Sequence, residues 1–261
     1  MADTKLENQR KNNEDKLPIV FLHGTSGQSE DWSQVLEQLA KHRPVIRLDY
    51  AELIAGTDSA NAPAVSDFAH RVVAAASADG RHRFDLVGCS LGAAVATFIA
   101  AEYSEMVRSL VLVSGFSYGA DARMRLQFDL WLHLSRTDKI ALGKLLLVSG
   151  LSREFLSAFD KSTIDGIIKN FVAASNWPLI EQNIKVDLAV DVRKQARKIK
   201  APTLSITAKY DQIVPPFYTQ ELTDLIPRAK SAEIPSGHLS FLEKPGDLAS
   251  AMLTFLLEKH P

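Results

Sequence analysis

Apolar positions in this chain fall into two rhythms. Pro18–His23 is a continuous apolar run that stops at Gly24, the pattern of a strand buried on both faces. Val45–Asp49, Phe84–Cys89, Val107–Val113, Thr203–Ala208 and Ala232–Ile234 read as further strands. Between them the spacing changes to that of helices. Trp32, Val35, Leu36 and Leu39 recur on one helical face behind Ser29 as N-cap, with Glu30 and Asp31 favourably placed in the first turn. Ser66 caps a predicted helix running to Ala78 and closed by Gly80. Leu91–Tyr103 is the next helix, and Gly246–Lys259 the last.

After Gly115 the alternation stops. Asp121–Ser135, Thr137–Val148, Ser152–Asp160 and Ser162–Asn176 all read as helices, with no convincing strand until Thr203. Strand and helix alternating on both sides of an all-helical block predict an α/β fold. Its core is a mostly parallel, doubly wound sheet of about six strands carrying an inserted helical cap. The expected division is a core over residues 18–117 and 199–261, a cap over 118–198, and a polar, disordered tail over 1–17.

Composition narrows the class. The chain has 261 residues, 46% hydrophobic and 23% charged, enough to bury a substantial core. Lys plus Arg number 30 against 31 Asp plus Glu, so nothing attracts a polyanion globally and no nucleic-acid partner is expected. The densest basic run, Arg193–Lys198, reads as the solvated face of a helix. Cys89 is the only cysteine, which excludes an internal disulfide and a cysteine-based metal site and suits a reducing compartment. Without a signal-peptide core or a membrane-spanning run, the expected location is cytoplasmic.

The chemistry centres on Gly88-Cys89-Ser90-Leu91-Gly92, at the junction of a predicted strand and a predicted helix. Two glycines there permit a tight turn that presents Ser90 at the carboxyl end of the sheet. A serine hydroxyl is a poor nucleophile at neutral pH, so it needs a base, and the base a carboxylate to orient it. In the chain order nucleophile, acid, histidine, the candidates past the last strands are His238 and the penultimate His260. His238, in Ser236-Gly237-His238-Leu239, follows a strand directly, and Asp211 follows the Thr203–Ala208 strand. Backbone amides of Leu91, opening the helix, and Thr25, in His23-Gly24-Thr25-Ser26-Gly27, are placed to hold a developing oxyanion. His23 is expected to order that loop rather than act as a second base.

With an H-G turn, a G-x-S-x-G elbow, a late acid before [VI]-P and a G-H base, Leu17–Lys259 resembles the serine-nucleophile branch of the α/β-hydrolase superfamily. The resemblance implies Ser90 as nucleophile, Asp211 as acid, His238 as base, an oxyanion hole at Thr25 and Leu91, and no metal or organic cofactor. Three departures stand out. Ala208 occupies a position usually held by Gly, and Asp49-Tyr50-Ala51-Glu52-Leu53 replaces the usual D-x-x-G-x-G-x-S segment. There is also no room for the N-terminal β-hairpin, which leaves the Val45–Asp49 strand as a sheet edge, shielded by Pro44, Arg47 and the tail or paired in a homodimer.

The predicted cap is rich in apolar residues, among them Met124, Leu126, Leu130, Val148 and Ile167, most of them expected to be core. Phe128, Trp131 and Trp177 are the candidate substrate contacts, since an apolar lid above a serine favours a hydrophobic small molecule. Asp129, His133 and Arg136 are expected on a solvated face. Cys89 reads as a small buried residue. The expected activity is an esterase, lactonase or thioesterase working through an acyl-enzyme. Acyl transfer, elimination, C–C cleavage and perhydrolysis use the same triad on this fold, and a hydrolase scaffold can also serve as a ligand-binding protein; fold and triad do not separate these.

Overall fold

The computed structural model describes residues 17–53, 64–78 and 82–258. The predicted tail, apart from Leu17, and the helix-closing Gly80 lie outside them. Six strands form one sheet, β1 (Ile19–Leu22), β2 (Val45–Leu48), β3 (Phe84–Cys89), β4 (Val107–Val113), β5 (Thr203–Ala208) and β6 (Lys230–Ile234), in the order β2-β1-β3-β4-β5-β6. Every neighbouring pair is parallel. β2 is an edge, as the sequence implied.

Helices cover both faces. α1 (Ser33–Ala40) and α9 (Pro245–Leu256) pack on one side; α2 (Val65–Ala76) and α3 (Leu91–Glu102) pack on the other, with α8 (Pro216–Leu225). The alternation of β1 shows why its run is apolar throughout: Ile19 and Phe21 enter the first layer, Val20 and Leu22 the second.

Between β4 and β5 lie four long helices, α4 (Ala122–Thr137), α5 (Lys139–Gly150), α6 (Lys161–Ala174) and α7 (Trp177–Ala189). An isolated antiparallel bridge between Tyr118 and Asp191 joins the two ends of this insertion. Each long helix starts at a side-chain cap: Asp121, Asp138, Asp160 and Asn176 accept from amides in their first turns.

Several expectations need correction. The Ser152–Asp160 helix is a single turn, Arg153–Leu156, and the predicted helices include neither α7 nor α8. Ser66 lies inside α2 rather than at its cap; Asp67 accepts the Ala64 amide at 2.7 Å and fixes that end instead. Ser29 does not cap an α-helix but opens a 3₁₀ turn, Ser29–Trp32, and gives its amide and hydroxyl to Asp49 at 2.7 and 2.6 Å. Leu126, Leu130, Val148 and Ile167 are exposed rather than core. Asp129, His133 and Arg136 are exposed as expected, Arg136 pairing with Glu181 at 2.8 Å. Among the described residues, no helix is long and apolar enough to cross a membrane.

The amino end of the sheet is held by charge. Asp85, fully buried at the start of β3, accepts from Arg43 at 2.8 Å, from Arg108 at 2.6 and 2.7 Å, and from the Ser109 hydroxyl at 2.6 Å. Arg43 also binds the Leu17 carbonyl at 2.6 Å and Arg108 the Leu256 carbonyl at 2.7 Å, tying both ends of the described chain to one carboxylate.

Candidate active site

Ser90 occupies the turn from β3 into α3 with φ 54° and ψ −118°, a left-handed conformation that costs a non-glycine residue about 1–3 kcal/mol. The surroundings enforce it. A Cβ on Gly88 would collide with the Gly92 carbonyl, and one on Gly92 with the carbonyls of Leu22 and His23, so both glycines are needed for α3 to start this close to β1. The Gly24 turn lies directly over the serine: a Cβ there would stand 3.2 Å from Ser90 Cβ and 3.8 Å from Oγ.

Asp211 and His238 follow β5 and β6 at the same carboxyl edge, and both are buried. His238 Nδ1 is 2.7 Å from Asp211 Oδ2. The other carboxylate oxygen, Oδ1, accepts the amides of Ile213 at 2.9 Å and Val214 at 2.8 Å, which fixes the carboxylate plane. The structure thus joins two of the three predicted groups directly. Among the described residues no hydrogen bond links Ser90 to His238; what they share is the buried edge of the sheet.

Thr25 and Leu91, the predicted oxyanion donors, belong to the two turns that meet at the serine. Leu91 is the first residue of α3, where an N–H has no partner within its own helix. Thr25 N–H belongs to the turn over Ser90, and the Thr25 side chain is taken up elsewhere: its hydroxyl donates to Asp187 Oδ2 at 2.6 Å, while its carbonyl accepts from Asn183 Nδ2 at 2.9 Å. His23 orders the same loop, as expected. Its Nδ1 is 2.7 Å from the Gly24 carbonyl, and its Nε2 is 3.3 Å from both the Tyr50 amide and Asp49 Oδ1. Hydrogen bonding to His23 and Ser29 holds the Asp49 carboxyl well below the usual carboxylate range. The departure at Asp49–Leu53 therefore has a definite result: Tyr50 is fully buried, its ring tilted against His23 at 4.4 Å and edge-on to Phe68 at 4.7 Å. Burial pushes the neighbouring Cys89 thiol well above its ordinary range, which suits the packing role expected of it.

The inserted helices brace the Asp211 and His238 loops. Arg123 and Gln127 on α4 donate to the Gln212 and Ile213 carbonyls at 2.6 and 3.0 Å, and the Leu239 amide donates to the Gly150 carbonyl of α5 at 2.9 Å. Glu243 receives the Ser152 amide at 2.8 Å, the Ser152 hydroxyl at 2.5 Å and the Gly237 amide at 2.9 Å. One carboxylate thus ties the residue before His238 to the cap. Glu243→Ala is expected to lower stability by about 2 kcal/mol in urea denaturation, with Glu243→Gln intermediate, because three donors lose a charged acceptor.

Of the candidate substrate contacts, Phe128 and Trp131 are buried on α4. Phe128 lies 5.9 Å from Phe116 and 5.5 Å from Trp131, and the Trp131 Nε1 has no partner among the described residues. Trp177 makes its ring contacts within the cap, edge-on to Phe171 at 5.7 Å, and gives its indole N–H to the Val172 carbonyl at 3.1 Å. Arg193, in the basic run, pairs with Asp191 at 2.7 Å and lies over the Tyr118 ring. The sequence reading missed Tyr50, Asn183 and Asp187. A signal for the last two was present: Ile180, Asn183, Ile184 and Asp187 recur at helical spacing, placing polar residues on an apolar face.

A family model described as alpha/beta hydrolase fold matches residues 18–245, and the chain belongs to that family. The pyrrolizixenacetamide deacetylase of Xenorhabdus hominickii is 38% identical over 242 residues, covering 92% of this chain and 91% of the relative. The 2-hydroxy-6-oxo-6-(2'-aminophenyl)hexa-2,4-dienoic acid hydrolase of Metapseudomonas resinovorans is 26% identical over 253 residues, covering 92% and 83%. Among solved structures, MGS-M2, an α/β-hydrolase enzyme from a Medee basin deep-sea metagenome library, superposes with a TM-score of 0.85 at 20% identity, covering 95% of this chain and 91% of that one. Both curated relatives are named for hydrolytic activities, which supports an enzyme of the hydrolase class.

Proposed function

We propose that this protein is a serine hydrolase that removes an acyl group from a hydrophobic small molecule bearing an ester or amide, through an acyl-enzyme. The observation that supports the reading is the left-handed Ser90 under the Gly24–Thr25 turn, at the sheet edge that also holds the His238–Asp211 pair. Ser90 Oγ attacks the carbonyl carbon as His238 takes its proton; the carbonyl oxygen becomes an oxyanion held by the two amides. Asp211, accepting from Nδ1–H, keeps Nε2 as the basic nitrogen and stabilises the imidazolium. His238 then protonates the departing alcohol or amine, and water repeats the sequence to release the acid and restore Ser90.

Residues 118–198 act as a lid in this reading, with Phe128 and Trp131 supplying its apolar lining. The kinship to a named deacetylase extends the substrate class from esters, lactones and thioesters to small acyl amides. The test is turnover of 4-nitrophenyl acetate and an N-acetyl arylamine in ¹⁸O-labelled water, beside labelling by a fluorophosphonate probe. The expected products are the free alcohol or amine and an acid carrying one solvent oxygen. A wild-type enzyme left unlabelled by the probe would overturn the reading in favour of a binding protein; acyl loss with a new double bond and no solvent oxygen would overturn it in favour of elimination.

A further inference from the structure

α7 carries neither nucleophile, acid nor base, yet it places two polar side chains, Asn183 and Asp187, fully buried and one turn apart against Thr25. Between them they hold the carbonyl and the hydroxyl of that one residue, at 2.9 and 2.6 Å. Stability alone does not account for them. Asn183 Oδ1 and Asp187 Oδ1 have no partner among the described residues, and half-satisfied buried polar groups cost more than an apolar pair of similar shape. What the two bonds do is anchor Thr25 beyond its Cα. Its N–H belongs to the Gly24–Thr25 peptide, in the turn over Ser90, and holding the Thr25 side chain and the following carbonyl limits how far that peptide can rotate.

We propose that Asn183 and Asp187 are positioning residues that aim the Thr25 amide at the oxyanion, so that the oxyanion hole is completed by the cap and not by the α/β core alone. The inference rests on the serine-hydrolase reading above. Its electrostatics are consistent. Burial pushes the Asp187 carboxyl well above the usual carboxylate range, which favours the uncharged form beside the developing oxyanion. A full charge there would oppose the transition state that the amides stabilise.

The test compares Asn183→Ala, Asp187→Ala and Asp187→Asn with wild type. The readouts are turnover of 4-nitrophenyl acetate, the rate of fluorophosphonate inactivation, and affinity for an aryl trifluoromethyl ketone, which forms an oxyanion on Ser90. Misaiming an oxyanion donor by a fraction of an ångström to an ångström is expected to lower kcat by up to about 10²-fold, with KM within about threefold. In Asn183→Ala and Asp187→Ala, ketone affinity and inactivation rate should fall in the same proportion, while binding of the product acid holds. Asp187→Asn, which keeps a neutral acceptor for the Thr25 hydroxyl, should recover most of what Asp187→Ala loses. If Asp187→Ala does not fold, Thr25→Val removes the same hydroxyl bond and should show the same kcat loss; if Asn183→Ala does not fold, Asn183→Leu, close in volume, removes the same donor to the Thr25 carbonyl and should show the loss instead. Folded Asn183→Ala with wild-type kcat, a loss confined to KM, or an Asp187→Asn as impaired as Asp187→Ala would each overturn the positioning role. A wild type inert to the fluorophosphonate would overturn it together with the hydrolase reading, whereas a reactive wild type matched in rate by Asn183→Ala would overturn it alone.

Discussion

Ser90→Ala is expected to abolish fluorophosphonate labelling and to lower kcat for 4-nitrophenyl acetate by about 10⁴- to 10⁶-fold, the loss typical when the nucleophile of a cooperating triad is removed. The fold should survive. The left-handed backbone at residue 90 is imposed by β3 entering α3 between Gly88 and Gly92, and alanine at that conformation carries strain similar to serine's. Thermal melting should therefore change little while chemistry disappears. The variant should still bind a hydrophobic product acid, because the lid and the two amides remain. His238→Ala should lose nearly as much, since members of such a unit act together and their individual losses do not add. A Ser90→Ala enzyme retaining a tenth of wild-type turnover would mean that the reaction runs through another group.

Asp85→Ala is expected to cost about 3–5 kcal/mol of stability, read by urea denaturation, because removing one partner leaves other charges buried and uncompensated. Two guanidinium groups would lose their acceptor. Arg43 has almost no exposed surface, and Arg108 is partly buried, so neither can turn fully to water without giving up its bond to the Leu17 or Leu256 carbonyl. At the size of this domain the loss corresponds to a fall in Tm of roughly 10 °C. Activity per folded molecule should be retained, since Asp85 lies at the amino end of β3 and Ser90 just past its carboxyl end. Asp85→Asn should fall between, keeping acceptors for some donors but not the charge. A loss below about 1 kcal/mol would show that the two arginines find alternative partners.

The strands and most of the core helices of the sheet were legible because their signals are local; α8 was not among the predicted helices. A strand buried on both faces must be apolar at successive positions; Ile19–Leu22 shows the run throughout, and Phe84–Cys89 shows it apart from Asp85, whose charge is matched by Arg43 and Arg108. Helix starts were less legible where side chains were recruited from a distance. Ser29 looks like an N-cap, yet its hydroxyl is claimed by Asp49, and Ser66 yields to Asp67. In the cap, an apolar residue facing water and one facing a neighbouring helix have the same periodicity, and Leu126 and Leu130 proved exposed while Phe128 and Trp131 are buried. α7 escaped because Asn183 and Asp187 interrupt its apolar face. Their partner, Thr25, sits 158 and 162 residues away along the chain.

The sequence by itself determined the alternation of strand and helix, the inserted helical block, and the serine between two glycines, along with the order in which acid and histidine follow. Each of these rests on backbone preferences or periodicities that act within a few residues. Only the tertiary structure decided that Asp211 meets His238, that Glu243 ties the histidine loop to the inserted helices, and that a buried carboxyl from α7 closes on Thr25. Such contacts depend on how the insertion folds back over the carboxyl edge of the sheet, and that is set by packing between elements far apart in the chain, which no local pattern encodes.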